Sequence, residues 1–189
     1  MRTLPLLQTE VASCTKCELH STRTNTVFAR GNPQATLCFV GEAPGEEEDL
    51  QGLPFVGRSG QLLDQTLTSL GLDVASDIYV CNIIKCRPPN NRRPTDEETN
   101  SCLDYLEEQL KLTMFVNVIV ALGSTAVNGL INTTYGITKI RGQFFKRGKI
   151  LVLPTYHPSY VLRNGSKGPV FDAFKQDLQT AYNKAKGIT

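Results

Sequence analysis

The chain has 189 residues, with 20 lysines and arginines against 18 aspartates and glutamates. It is long enough to bury a real core, and its formal charge of +2 permits a polyanionic partner without demanding one. No run approaches the roughly eighteen apolar residues of a membrane span, and the opening residues are too soon interrupted by Pro5 for a signal peptide. The six cysteines are therefore expected in a reducing cytoplasm, where metal binding outweighs disulfides.

In chain order, residues 4–13 predict a short helix leading into Cys14-Thr15-Lys16-Cys17. A polar stretch with Arg23 and Arg30 closes on the turn signal Gly31-Asn32-Pro33. Residues 36–40 read as a buried strand, followed by the turn Gly41-Glu42-Ala43-Pro44-Gly45 and four successive acids at 46–49. Residues 52–57 are broken by Gly and Pro and read as a loop. Ser59 is expected to cap a helix running to about Leu70, which Gly71 stops. Residues 78–82 predict a second strand, 85–94 a basic, proline-rich loop, and Thr95 with Glu98 a capping box opening a helix to Lys111.

The third strand is expected at 116–122, ending in Gly123-Ser124 and a further helix. Residues 137–148 read as a hairpin or loop rich in Lys and Arg. Residues 150–154 are the fourth strand, and 170–184 a final amphipathic helix. Strands alternating with helices predict a single domain over 1–189, a three-layer α/β/α sandwich around a four-stranded, mainly parallel sheet. Ligands of such sheets collect beyond the carboxyl ends of the strands. There Gly41-Glu42, Asn82, Gly123-Ser124 and His157 bring a carboxylate, a carboxamide, a helix N-terminus and an imidazole to one edge. Each has an ordinary reading as a turn or cap residue; their recurrence at successive strand ends carries the weight.

The set Gly41-Glu42-Ala43-Pro44-Gly45, Leu53-Pro54-Phe55-Val56-Gly57, Cys81-Asn82, Lys85-Cys86-Arg87-Pro88 and His157-Pro158-Ser159-Tyr160 resembles the family 4, iron–sulfur, uracil-DNA glycosylases. The resemblance runs from Cys14 to the last helix. It implies an enzyme of base excision repair that flips uracil out of DNA and hydrolyses its N-glycosidic bond, leaving an abasic site. Uracil-containing DNA is then the partner of a monomer, with a replication or repair protein as a further one.

The cysteines show one C-x-x-C pair and two scattered members, whereas a structural zinc site usually shows two tight knuckles. A 4Fe-4S cluster tolerates scattered thiolates, and the resemblance implies Cys14, Cys17, Cys86 and Cys102 as its ligands. Cys38 and Cys81 lie within apolar strands and read as small buried hydrophobes. The cluster's expected role is to clamp the N-terminal segment onto the basic loop; its loss loosens residues 86–94 first.

For the base, the resemblance implies Phe55 as stacking platform and Glu48 as the wall beside C5 that excludes the thymine methyl. Asn82 is the reader of uracil, since one carboxamide both donates to O4 and accepts from N3–H. His157 donates to O2 as negative charge develops there, helped by backbone N–H groups near Ala43. Glu42 orients or activates water and favours the cationic sugar. At Ala43 this chain departs from the better-known branch of the superfamily, which carries an aspartate there.

For DNA, Arg87, Arg92 and Arg93 form one basic loop, and Lys139, Arg141, Lys146, Arg147 and Lys149 a second. Ser124 holds a phosphate at a helix N-terminus. The 157–163 loop, with Ser159, Tyr160, Leu162 and Arg163, resembles the family's minor-groove loop and fills the space left by the extruded base. Three rival readings stand beside this one. A non-catalytic binding module differs in leaving uracil-containing DNA uncut. A branch that captures DNA covalently needs a histidine after the third cysteine, and residues 87–94 contain none. A small-molecule phosphate enzyme lacks a P-loop or dinucleotide fingerprint here.

Overall fold

A computed structural model describes residues 2–188. Its strands are β1 (Arg30–Gly31), β2 (Leu37–Gly41), β3 (Ile78–Asn82), β4 (Val118–Leu122), β5 (Phe145–Arg147) and β6 (Ile150–Thr155). Its α-helices are α1 (Leu4–Ala12), α2 (Glu46–Gln51), α3 (Arg58–Ser69), α4 (Asp96–Leu112), α5 (Ser124–Ile131), α6 (Ile137–Ile140), α7 (Pro158–Arg163) and α8 (Pro169–Lys186).

The strands form one sheet in the order β1-β3-β2-β4-β6-β5. The four inner strands are parallel, as expected. The expected four-stranded sheet is corrected to six, because β1 and β5 add antiparallel edges. Every residue of β2, β3 and β4 is buried, the mark of parallel strands covered on both faces. Alternate side chains feed two cores. Cys38, Val40, Tyr79, Cys81, Ile119 and Ala121 pack with α1, α4 and α5. Leu37, Phe39, Ile78, Val80, Val118 and Val120 pack with α3, α7 and α8.

The helices follow from periodicity and caps. On α4 the buried positions Cys102, Tyr105, Leu106, Gln109 and Leu110 repeat at three and four residues. Its capping box forms as expected: Thr95 Oγ1 accepts from the Glu98 amide, and Glu98 accepts from the Thr95 amide. The acids at 46–49 form the first turn of α2, favoured there by the helix dipole. Two local expectations are corrected. Ser59 does not cap α3, whose N-cap position is Gly57. The 157–163 segment is largely helical, with Pro158 at the first position and His157 as N-cap.

Residues 137–148 resolve into α6 and the β5 half of a hairpin with β6. The basic cluster expected there is partly consumed by structure. Arg141 grips the buried Asp177 with two hydrogen bonds of 2.6 and 2.9 Å and also donates to the Ala173 carbonyl. Arg147 pairs with Glu107 and donates to the Leu130 carbonyl. These two arginines tie the α6–β5 segment at the sheet edge to α8, α4 and α5. Among the described residues no helix is long and apolar enough to cross a membrane.

Candidate active site

Parallel pairing aligns the strand ends in one row. Gly41 is in register with Asn82, Leu122 with Thr155, and the Gly123 amide donates to the Thr155 carbonyl at 3.0 Å. Beyond this row opens a cavity of about 540 Å³, within the range of small-molecule sites. Glu42, Ala43, Glu48, Phe55, Asn82, Ser124, His157, Ser159 and Arg163 all line it. Of the expected site residues, Gly41 lies beneath the cavity rather than in its wall. Arg87, Tyr160 and Leu162 do not line it: Arg87 donates to Asn91 at 2.7 Å and lies 3.7 Å from Glu46, and Tyr160 packs on Tyr156.

Gly41 shows why the floor needs a glycine. A Cβ there would stand 2.5 Å from the Phe55 ring and overlap the Asn82 side-chain oxygen. Ring and carboxamide therefore meet over a bare backbone. Gly41→Ala is expected to displace both groups and lower the single-turnover rate on the substrate proposed below by about 10- to 100-fold. Rapid-quench kinetics beside a melting curve checks this, with the loss of rate exceeding any loss of folded protein.

Asn82 is 2 % exposed, and its Oδ1 has no hydrogen-bond partner. A buried acceptor left unpaired costs about 1–3 kcal/mol, so this oxygen is open to a hydrogen-bond donor brought in by a ligand. Across from it, His157 stands 6.0 Å from Phe55 between ring centroids. Its Nδ1 accepts from the Ser159 amide at 3.1 Å and lies 2.8 Å from the Ser159 hydroxyl. An Nδ1 that accepts is unprotonated, which leaves Nε2 as the N–H donor. Burial, with the nearby Arg163 charge, holds the imidazole down at about 4, so it is neutral at ordinary pH.

Glu48 is fixed from both oxygens. Oε1 accepts from the Val56 and Gly57 amides at 2.9 and 2.7 Å, and Oε2 from the Gly45 amide at 3.1 Å. The carboxylate joins α2 to the Phe55 loop at the cavity wall. Arg92, Arg93, Asn91 and Ser59 line the cavity too, though the sequence reading did not single out Asn91 or Ser59 for it. Asn91 sits at φ 54°, in a 3₁₀ turn at Pro89–Asn91 that brings the basic loop to the rim. Arg92 is braced by two bonds of 2.6 and 2.9 Å to Glu98.

A second, small cavity is lined by all four of Cys14, Cys17, Cys86 and Cys102, with Arg23, Lys85 and Tyr105. Cys38 and Cys81 are buried in the sheet, away from it, as expected. Three of the four sulfurs face N–H donors: Cys14 the Lys16 amide at 3.5 Å, Cys86 the Arg23 guanidinium at 3.4 Å, and Cys102 the Lys85 amide at 3.4 Å. Arg23 also donates to the Cys14 carbonyl at 2.7 Å. Burial raises Cys17 and Cys102 and pushes Cys86 up to about 11. Metal binding to such thiols displaces their protons.

Residues 28–185 match the family model of the uracil DNA glycosylase superfamily. The chain is 47% identical over 165 residues to a type-4 uracil-DNA glycosylase of Thermotoga maritima, covering 86% of this chain and 85% of that protein. To the type-4 enzyme of Archaeoglobus fulgidus it is 45% identical over 172 residues, covering 86% and 84%. To that of Sulfurisphaera tokodaii it is 42% identical over 173 residues, covering 87% and 78%. With its row of strand ends, its unpaired carboxamide and its N–H-presenting histidine on one cavity, the chain belongs to the uracil-DNA glycosylase superfamily and, within it, to the type-4 branch.

Proposed function

We propose that this chain, acting as one domain, removes uracil from DNA by hydrolysing the N-glycosidic bond, with the base extruded into the cavity lined by Phe55, Asn82 and His157. One observation carries the reading: the buried, unpartnered side-chain oxygen of Asn82 beside an aromatic ring. Uracil presents N3–H next to the C4 carbonyl, so a single carboxamide satisfies both. Cytosine presents an acceptor at N3 and an amine at C4, the reverse pattern. Phe55 replaces the stacking that the base loses on leaving the helix. The Glu48 carboxylate, held by three backbone amides, walls the base edge against a C5 methyl.

As the bond from N1 to C1′ breaks, its electron pair leaves with uracil and positive character grows on the sugar. The Nε2–H of His157 meets the charge gathering on O2, and a neutral imidazole is enough for that. Glu42 directs water to C1′ and stabilises the cationic sugar; the water oxygen bonds to C1′ and a proton completes the departing base. Ser124, Ser159 and Arg163 at the rim, with Arg92 and Arg93, take phosphates.

The four cysteines fit a 4Fe-4S cluster: all four line one cavity, and such a cluster carries each thiolate on a separate iron. N–H donors at three of the sulfurs suit the charge of such a cluster. Bound there, it would cross-link the N-terminal segment to the basic loop; hydrolysis itself calls for no electron transfer.

Because burial keeps His157 unprotonated down to about 4, single-turnover rates are expected to show no His157 inflection near 6.5. Below about 6.5 the unfolded chain binds a proton that the folded chain refuses, so folding weakens as pH falls towards 4. Wild-type and His157→Ala rate profiles between pH 4 and 9 check it; an inflection near 6.5 present only in the wild type would contradict it.

The proposed activity is tested with oligonucleotides identical except for one U, C or T. The U strand should yield free uracil and an alkali-labile abasic site in equal amounts, with the other strands intact. A U strand that is bound but stays whole would make the chain a binding module instead.

A further inference from the structure

Phe55 has φ 55°, a left-handed conformation costly for a bulky aromatic residue. Such strain persists only where the surroundings hold it, and here they hold both sides of the residue. On the near side, Arg30 Nε donates to the Pro54 carbonyl at 2.7 Å and Nη2 to the Phe55 carbonyl at 3.3 Å. That same Nη2 is locked by Asp64 Oδ1 at 2.6 Å. On the far side, Glu48 holds the Val56 and Gly57 amides. Beneath, Gly60 lies so near the Phe55 carbonyl that any Cβ would overlap it.

Arg30 does not line the cavity; it sits on the edge strand β1, and Asp64 is on α3. We propose that Arg30, locked by Asp64, is a positioning residue for base excision: it holds the 54–57 turn in the strained conformation that presents the Phe55 face to the extruded base. The fork geometry of a guanidinium is what the task needs, since one planar group serves two carbonyls and a carboxylate at once. A lysine in its place supplies the charge without the fork. This inference rests on the reading of Phe55 as the stacking platform.

The test is a double-mutant cycle of Arg30→Met and Phe55→Ala, read as single-turnover rate on a U·G duplex with melting temperatures beside it. Arg30→Met alone should slow excision by about 10- to 100-fold. In the Phe55→Ala background it should add less than about twofold, because the ring through which it acts is gone. Arg30→Lys should regain melting temperature more than rate. If Arg30→Met folds too poorly to assay, Asp64→Asn runs the same cycle with a smaller effect of the same pattern. Equal slowing in both backgrounds, or a wild-type rate in Arg30→Met, overturns the positioning role while leaving the stacking reading in place. A wild-type rate in Phe55→Ala overturns both.

Discussion

Asn82→Ala is expected to lower kcat/KM for uracil excision from a U·G duplex about 1000-fold. In the proposed complex the carboxamide would make two hydrogen bonds to the base edge in a buried setting, each worth about 1–3 kcal/mol when its loss strands the partner group. The loss should be specific to base recognition. Affinity for an abasic duplex should hold within about threefold, since the proposal assigns the phosphate contacts to the rim residues rather than to the cavity floor. Asn82 is also rooted independently of its side chain. Its carbonyl accepts from the buried Lys85 ammonium at 2.7 Å, which donates onward to Gln109 at 2.6 Å. The flanking Ile83 and Ile84 amides bond to the Gly41 and Glu42 carbonyls. Removing the carboxamide therefore leaves the strand end in place, and steady-state kinetics with a melting curve separates recognition from folding.

His157→Ala is expected to lower kcat by about 100- to 1000-fold with little change in DNA affinity. That is the range for removing one preorganised donor from a site of developing negative charge. The imidazole is not free to drift: Gly123 packs against its Cβ side, and the Ser159 amide fixes Nδ1 as the acceptor. In the proposed mechanism its contribution is a fixed N–H that strengthens only as charge reaches O2, which would place the loss in kcat rather than KM. Single-turnover rates at saturating enzyme, beside binding measured on an uncleavable duplex, check the split.

The inner sheet was legible because parallel strands buried on both faces read as unbroken apolar runs, and β3 fell on its expected residues 78–82. The site row was legible for the same reason, since parallel pairing sends every carboxyl end to one edge. The four cysteines were grouped by a resemblance of motifs, and all four residues line one cavity. The edges were not legible. Two residues in β1 and three in β5 are too short for any alternation to register. Charge was misread where its partner is distant in sequence: Arg141 looks like a DNA-binding residue until Asp177 is seen beside it. Arg30 shows the same limit from the other side, a polar-stretch arginine whose partners lie 24 to 34 residues away. The left-handed backbone of Phe55 had no local signal, because the strain is held by groups from β1, α2 and α3.

The most direct measurement is a crystal structure with a duplex carrying 2′-fluoro-deoxyuridine, whose electron-withdrawing fluorine resists formation of the cationic sugar and so keeps the bond whole. Density should show the uracil ring against Phe55, its N3 and O4 within hydrogen-bond distance of the Asn82 carboxamide and its O2 facing His157 Nε2. A base that stays stacked in the duplex, or one lodged elsewhere with Asn82 still unpartnered, would contradict the account.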